Sequence, residues 1–407
     1  MNLIVTKFGG SSVANNKLLD NVSNIIIKKI KKENKIIVVV SAPGDMTDDL
    51  INRAYEITPQ PDERELDMLM STGEQISIAL LSIILKAKGY DAISLTGPQA
   101  GIYADTSYTK ARITSIKPKK IFDELSKGRI VIVAGFQGLN PYDDITTLGR
   151  GGSDLTAVAL AAVTKAKICE IYTDVDGVFS VDPRICKDAK KIDYISYDEM
   201  LEMSGSGAQV MQARAVEVAK KFNIKIEVKS SFNDKPGTII FKEGKQMEQP
   251  VVTSVTYDKN QAKLSILNIP DKPGVAAKIF SELAKYNVNV DMIIQSSARE
   301  GHNDISFTVT KSDLRKSMEI LQKINKELSG KGVIYDDKIA KVSIIGVGMK
   351  SYPGVAAKMF ETLAKNKINI EMISTSEIKI SCVIKDKFIE KAVKLLYNVF
   401  ISNRRNQ

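Results

Sequence analysis

Lys7-Phe8-Gly9-Gly10-Ser11-Ser12 brings together an ammonium group, two residues without side chains and two hydroxyls, a combination suited to holding phosphate. The apolar run Leu3-Ile4-Val5 precedes it and an amphipathic stretch from Lys17 to Lys31 follows, which predicts a strand, a glycine turn and a helix. A chain that leaves a strand through two glycines exposes backbone N–H groups. With the positive end of the next helix they form an anion cradle, and Lys7 supplies a mobile charge. The spacing is not that of a P-loop, and neither a His-Arg-Asp nor an Asp-Phe-Gly kinase signature is present. Glycines after a first strand also serve as a simple tight turn, so this motif needs company.

A second glycine cluster, Thr146-Thr147-Leu148-Gly149-Arg150-Gly151-Gly152-Ser153-Asp154, runs directly into an expected helix over Leu155 to Thr164. Its backbone donors and Arg150 point to an anionic ligand, and a guanidinium can grip a carboxylate with two parallel hydrogen bonds. Asp154, an acid inside a positive site, would hold a lysine or magnesium in place; Ser153-Asp154 also reads as a helix N-cap, and the two readings are compatible. Farther on, Ile171-Tyr172-Thr173-Asp174-Val175-Asp176-Gly177-Val178-Phe179 is a strand ending in an Asp-Gly turn that leads to Asp182-Pro183-Arg184. Carboxylates and a basic residue there suit a nucleotide's ribose and phosphates, although a plain turn has the same composition. Glu74, in Ser71-Thr72-Gly73-Glu74, can pair a substrate ammonium or be a solvated helix carboxylate, and Ser41-Ala42-Pro43-Gly44 with Thr47 follows the second strand.

These residues need a scaffold. From Met1 to about Lys229, strands such as Lys35 to Ser41, Arg129 to Ala134 and Ile168 to Thr173 alternate with helical segments such as Val210 to Phe222. That alternation predicts an α/β domain with a mainly parallel sheet, whose ligands gather at the carboxyl edge of the strands. A polar, turn-rich stretch between Asn233 and Pro250 marks a boundary. We expect a catalytic domain over 1–232, a linker over 233–262, and two smaller domains over 263–335 and 336–407. The last two form an internal repeat: Pro273-Gly274-Val275-Ala276-Ala277-Lys278 recurs as Pro353-Gly354-Val355-Ala356-Ala357-Lys358, and the match continues through Asn289/Asn369 and Met292/Met372. Each copy reads as a ferredoxin-like βαββαβ unit. Asn289-Val290-Asp291 and Asn369-Ile370-Glu371 stand at a strand entrance, where polar groups can hold an amino acid's carboxylate and ammonium.

Composition narrows the chemistry. The chain has 407 residues, three unclustered cysteines and one histidine, His302, placed in a polar loop. Neither a disulfide framework nor a zinc site nor a histidine-based nucleophile system is expected, and no resident metal site. The formal charge of +10 is spread over helix faces, which reads as a solvated basic surface rather than a nucleic-acid interface. Without a signal segment, and with apolar runs too short or too interrupted to cross a bilayer, a cytoplasmic location with no membrane partner is expected.

Taken together, the motifs resemble those of the aspartate kinases: an amino-acid kinase fold followed by two ACT domains, over nearly the whole chain. The carriers are the Lys7 to Ser12 run, Ser71 to Glu74, Gly135-Phe136-Gln137-Gly138, Thr147 to Asp154, Tyr172 to Gly177, Asp182-Pro183-Arg184 and the paired Pro-Gly-Val repeats. The resemblance implies that ATP and L-aspartate give 4-phospho-L-aspartate and ADP, the step committing aspartate toward lysine, threonine and methionine. It further implies that Lys7 stabilises the transferring phosphoryl and that Asp154 orients Lys7. Gly9, Gly10 and Ser11 would cradle phosphates, while Thr173, Asp174, Phe179, Ser180, Asp182 and Arg184 would line the nucleotide. Ser41, Thr47, Glu74, Arg150, Gly151, Gly152 and Ser153 would hold aspartate, with Glu74 on the ammonium and Arg150 on a carboxylate. Mg²⁺ is expected with ATP, bound chiefly through its phosphates. For the repeats it implies feedback by lysine, threonine or both, with Asp271, Asn289, Val290, Asp291 and Gln295, and Asn369, Ile370 and Glu371 in the second copy, as candidate ligands.

Two departures from the family pattern stand out. Many relatives place a lysine where this chain has Gln209, which keeps a donor but loses a charge, and the second repeat has Met349-Lys350-Ser351-Tyr352 where the first has Asp271-Lys272. A kinase of the same fold acting on glutamate, acetylglutamate or UMP, and a non-catalytic amino-acid sensor, are the competing readings; the length argues against a fused homoserine dehydrogenase. Sheet edges favour a homodimer, or a heterotetramer with a regulatory subunit started at Met247. Gln209→Lys is expected to lower the KM for ATP in steady-state kinetics; an unchanged KM removes a phosphate role for position 209.

Overall fold

Val5, Phe8 and Ile37 through Val40 are wholly buried, as strands covered on both faces must be. The computed structural model describes residues 2–31, 34–208, 210–242 and 250–402. Two units emerge: Met1–Phe179 with Lys190–Ser204 and Gln209–Lys245, and Ser180–Ala189 with Gly205–Ala208 and Gln246–Gln407.

The first unit opens with β1 (Asn2–Phe8), α1 (Gly10–Val13), α2 (Asn16–Ile30), β2 (Asn34–Val40) and α3 (Met46–Ile57). Then come α4 (Glu63–Met70), α5 (Thr72–Ala87), β3 (Ala92–Leu95), β4 (Ile102–Ala104), β5 (Ile113–Ile116) and α6 (Lys119–Ser126). Next are β6 (Ile130–Ala134), β7 (Gln137–Leu139), β8 (Ile145–Thr147), α7 (Gly152–Thr164) and β9 (Ile168–Thr173). The unit ends with β10 (Tyr194–Ser196), α8 (Tyr197–Gly205), α9 (Ala213–Phe222), β11 (Ile226–Ser230) and β12 (Thr238–Phe241). Eight strands form one sheet in the order β10-β12-β11-β9-β1-β2-β6-β3, parallel throughout except for the β11–β12 pair. A separate four-stranded sheet, β5-β4-β7-β8, has no counterpart in the sequence expectation, because its strands are only three or four residues long.

The expected mainly parallel α/β architecture is therefore present, with β1 central. Helix α7 is buried along most of its length and packs on β1, β2, β9 and α9, which explains the apolar run from Ala157 to Val163. At the carboxyl end of β1, Phe8 stacks on Tyr172 of β9 with ring centroids 4.6 Å apart, a contact of about 1 kcal/mol. The helical stretch Glu63–Ala87 is long and apolar enough to cross a membrane by length and composition, contrary to expectation, yet half of its apolar window is buried within the fold. It is a core helix of this unit, with α5 packed on α2, β3 and β6.

The second unit contains β13 (Ser254–Pro270), α10 (Val275–Lys285), β14 (Ile293–Gln295), β15 (His302–Val309) and α11 (Leu314–Glu327). β16 (Gly332–Ile345), α12 (Val355–Lys365), β17 (Met372–Thr375), β18 (Lys379–Lys385) and α13 (Ile389–Phe400) complete it. His302 thus opens a strand rather than lying in a loop. One six-stranded sheet, β14-β15-β13-β16-β18-β17, serves both repeats. The first repeat has the expected βαββαβ order. The second runs βαββα, and its missing fourth strand comes from the start of β13, where Ser254 to Asp258 pair antiparallel with Ile345 to Lys341. The expected linker 233–262 is corrected accordingly: it contains β12 and the first half of β13. Its polar turns are real, but a short strand that completes another element's hydrogen-bonding edge carries little signal of its own.

The halves of this sheet are joined by reciprocal charges. Ala262-Lys263-Leu264-Ser265-Ile266 on β13 corresponds to Ala340-Lys341-Val342-Ser343-Ile344 on β16. Lys341, almost wholly buried, pairs with Asp291 of the first repeat, while Lys263 pairs with Glu371 of the second at 2.5 Å. Asp291→Ala would leave the Lys341 ammonium buried and unpaired, at a cost of about 3 kcal/mol; Lys341→Met removes the buried charge itself and costs less. Calorimetry of the full chain should show the larger fall in melting temperature for Asp291→Ala, and equal falls would refute the pairing argument.

Candidate active site

The carboxyl ends of β1, β2 and β9 lie side by side, and the chain leaves each of them through residues singled out by sequence. Lys7, one residue from the end of β1, directs its ammonium to Asp154 Oδ1 at 2.7 Å, with both side chains largely shielded from water. Asp154 occupies the first turn of α7, where unpaired N–H groups and the helix dipole favour an anion. Its second oxygen accepts from Gln212 N at 3.4 Å. The acid therefore holds the lysine ammonium in place.

The glycine turn is tighter than a strand–helix junction requires. Gly9 donates its N–H to Tyr172 O at 3.2 Å, so this amide is already used in the sheet. That corrects the expectation that Gly9 offers a free donor. Gly10 and Ser11 begin the short α1, ahead of any carbonyl that could satisfy them within the helix. A Cβ on Gly10 would lie 2.8 Å from Gly44 O and 2.9 Å from Ala42 O, so only glycine lets the loop after β2 come this close.

That loop brings in the next carboxylate. Gly73, where a Cβ would sit 2.7 Å from the Ala42 methyl, allows α5 to approach, and Glu74 Oε1 then accepts from Ala42 N at 3.2 Å. Glu74 is 2 % exposed, and among the described residues its Oε2 has no hydrogen-bond partner. Burial pushes its carboxyl up to about 7, only partly opposed by hydrogen bonds such as that from Ala42. A buried carboxylate oxygen without a donor matches an incoming ammonium.

Arg150 is the opposite case. Its guanidinium is 86 % exposed and pairs with Asp48 Oδ1 at 2.6 Å. A solvated pair of this kind is worth less than about 1 kcal/mol, so Arg150 can exchange its partner readily for a ligand carboxylate. Thr47 adjoins Asp48 in the first turn of α3, and half-buried Ser41 follows β2 directly. Gly151 and Gly152 lead into α7, and Ser153 is buried against Gly135, where a Cβ would meet Ser153 Oγ at 2.5 Å.

Thr173 ends β9 and donates its hydroxyl to Asp174 at 2.9 Å, while Phe179 bridges to Lys191. Ser180, Asp182 and Arg184 belong to the second unit. There Asp182 accepts from Tyr257 Oη at 3.0 Å and from Arg184 Nη2 at 2.8 Å. Burial opposes ionisation of Asp182, but these donors outweigh it and hold its carboxyl below the ordinary range. Gln209 and Met247 lie outside the described residues.

The candidate effector residues are also in the second unit. Asp271 accepts from Asn303 Nδ2 at 2.8 Å, with Gln295 Nε2 at 3.5 Å. Asn289 and Asn369 are exposed, Val290 and Ile370 pack against equivalent cores, and Asp291 and Glu371 already hold lysines. For Glu371, burial opposes ionisation, yet Lys263 and Lys385 hold its carboxyl below the usual value.

Sequence reading missed Asp48, Asp67 and Gln212. Asp67, wholly buried on α4, accepts from Thr147 Oγ1 at 2.5 Å, Thr147 N at 3.0 Å and Thr109 N at 2.9 Å, and so anchors the strand leading to Arg150. An acid within the apolar pattern Leu66-Asp67-Met68-Leu69-Met70 was the available signal. Among the described residues no group of three or more His, Cys, Asp or Glu is arranged to hold a metal ion.

Comparison with known proteins gives consistent matches. Residues 2–230 match the amino acid kinase family, and residues 267–324 and 342–400 match the ACT domain. An aspartate kinase of Pseudomonas putida is 48% identical over 401 residues, covering 98% of both chains. The crystal structure of E. coli aspartokinase III with aspartate and ADP in the R-state superposes with a TM-score of 0.83 at 25% identity, covering 98% of this chain and 99% of that one. The same enzyme with lysine and aspartate in the T-state gives 0.73 over the same shares.

The raised Glu74 pKa has a consequence for stability. Folded Glu74 keeps its proton to about pH 7, whereas the unfolded chain releases it near 4.5, so stability falls as pH rises through that window. The loss amounts to about 3 kcal/mol. Ligand-free Glu74→Gln should unfold at a higher temperature than the parent at pH 8, with the difference vanishing below pH 5 in melting curves; a pH-independent difference would contradict the burial argument.

Proposed function

We propose, for a chain that belongs to the amino acid kinase family and within it to the aspartate kinases, that it transfers the γ-phosphoryl group of ATP to the side-chain carboxylate of L-aspartate. The observation that carries this reading is the shielded Lys7–Asp154 pair at the glycine turn, flanked by Glu74 and Arg150. An aspartate carboxylate is ionised near neutral pH and needs no general base, so positioning and charge neutralisation are the whole task. A carboxylate oxygen forms the new bond to the γ-phosphorus, the bond to the β-phosphate bridging oxygen breaks, and ADP leaves with that electron pair.

Lys7 supplies a fixed positive charge where the transferring oxygens gather negative charge, and Asp154 keeps the ammonium aimed there. Gly10 and Ser11 offer amides to phosphate, with Thr173, Asp174 and Phe179 toward the rest of the nucleotide. Glu74 takes the substrate ammonium, and Arg150 exchanges Asp48 for a substrate carboxylate. Ser41, Thr47, Gly151, Gly152 and Ser153 line the same place. Mg²⁺ enters as part of the MgATP substrate and neutralises phosphate charge. For Ser180, Asp182, Arg184 and Gln209 the nucleotide role rests on the family resemblance alone.

The reading extends to the first step of lysine, threonine and methionine formation in the cytoplasm, in a homo-oligomer or a heterotetramer with an internally started subunit. Lysine or threonine, bound by the ACT pair, would act as feedback inhibitor; the lysine complex of the E. coli relative supports this. A kinase for glutamate, acetylglutamate or UMP is the competing reading. Arg150 with Glu74 suits a free dicarboxylic amino acid better than acetylglutamate, which has no ammonium, or UMP.

Lys7→Met is expected to lower kcat with aspartate at least 10²-fold, in line with loss of a donor at developing charge, and to leave lysine or threonine binding intact. A coupled assay of ADP release with aspartate, glutamate, acetylglutamate and UMP as separate acceptors checks both the variant and the substrate; turnover with another acceptor but none with aspartate overturns the reading.

A further inference from the structure

Arg150 lies in the loop before α7 and Asp154, four residues on, in that helix's first turn, a junction that must keep one side chain free to meet ligand and the other locked on Lys7. Two glycines in this loop, Gly149 and Gly151, adopt positive φ of 78° and 72°, a conformation that costs glycine little and gives the segment no stiffness of its own. The Arg150–Asp48 pair is too solvated to supply it. Order must come from elsewhere.

It comes from the start of α9. Gln212, the residue before this helix, donates Nε2 to Arg150 O at 2.7 Å, while its backbone N–H reaches Asp154 Oδ2 at 3.4 Å. One residue thus holds both the loop and the first turn of α7. Its Cβ also sits where Gly151 has no side chain, since a Cβ on Gly151 would lie 2.9 Å away. Two residues on, the half-buried Arg214 spreads its guanidinium over two carbonyls, Leu148 O and Ala111 O, each at 2.8 Å. The loop is therefore tied at Leu148, Arg150 and Asp154 from a single helix terminus.

We propose that Gln212 is a positioning residue for the phosphoryl acceptor: through the Arg150 carbonyl it sets the guanidinium that receives the acceptor's carboxylate. This rests on the aspartate-kinase reading. Gln212→Met keeps the side-chain length and the backbone N–H to Asp154 but removes the donor to Arg150 O. One neutral hydrogen bond corresponds to roughly a three- to tenfold change. The KM for aspartate should rise by that factor, with kcat within about twofold and the KM for ATP unchanged. A merely structural role would instead depress kcat and melting temperature together.

A second measurement does not depend on the substrate. Arg150 is an exposed trypsin site, and the bond after it contains the carbonyl that Gln212 holds. Cleavage between Arg150 and Gly151 in the native full-length chain, followed by mass spectrometry, should accelerate by at least the same three- to tenfold in Gln212→Met. Faster cleavage together with a raised aspartate KM supports the proposal. Unchanged cleavage overturns it, as does faster cleavage with an unchanged aspartate KM. A parent chain that does not phosphorylate aspartate overturns the functional reading and the acceptor role with it, whereas the cleavage rate still reports whether Gln212 restrains the loop.

Discussion

Two opposite charges placed out of water must find each other, and in this protein Lys7 and Asp154 do so at 2.7 Å across the junction of β1 and α7. That requirement fixes how the central strand meets the most buried helix. A lysine left alone in this position would carry the full desolvation cost of its charge, and so would the acid. The pairing therefore sets the register between the helix N-terminus and the strand end, and with it the position of the glycine turn that follows Lys7. The close approaches at Gly10 and Gly73 follow from the same geometry, because the loop after β2 and the start of α5 must crowd against that turn for Glu74 to meet the Ala42 amide.

Around this fixed pair the remaining charges differ in mobility, and the difference follows from solvent. Glu74 is sealed from water and among the described residues leaves one oxygen without a donor, so its charge is held in reserve near neutral pH. Arg150 is open to water, and its bond to Asp48 competes with solvent at every moment. One group gains strongly from a ligand that brings a donor; the other loses little when a ligand displaces its partner.

The second unit solves a different problem with related means. Its two repeats share a single sheet by exchanging strand halves, and each repeat's lysine crosses to the other's acid. Neither repeat is complete alone, since the fourth strand of the second lies at the head of the first. Asp291 and Glu371 stand at equivalent strand entrances, where they are engaged by lysines already; an amino-acid ligand there would have to compete with those ammonium groups.

The mainly parallel sheet, the internal repeat and the candidacy of Lys7, Glu74, Arg150 and Asp154 were legible in the chain, because each leaves a local mark: an apolar run, a glycine pair, a charge where composition is otherwise apolar. The engaged amide of Gly9, the strand halves exchanged between repeats and the roles of Asp48, Asp67 and Gln212 were not. Each depends on a partner far away in sequence: Tyr172 for Gly9, Lys341 to Ile345 for Ser254 to Asp258, Thr147 for Asp67, Arg150 for Gln212. A hydrogen bond or an ion pair is a property of two positions at once, and only the folded chain decides which two those are.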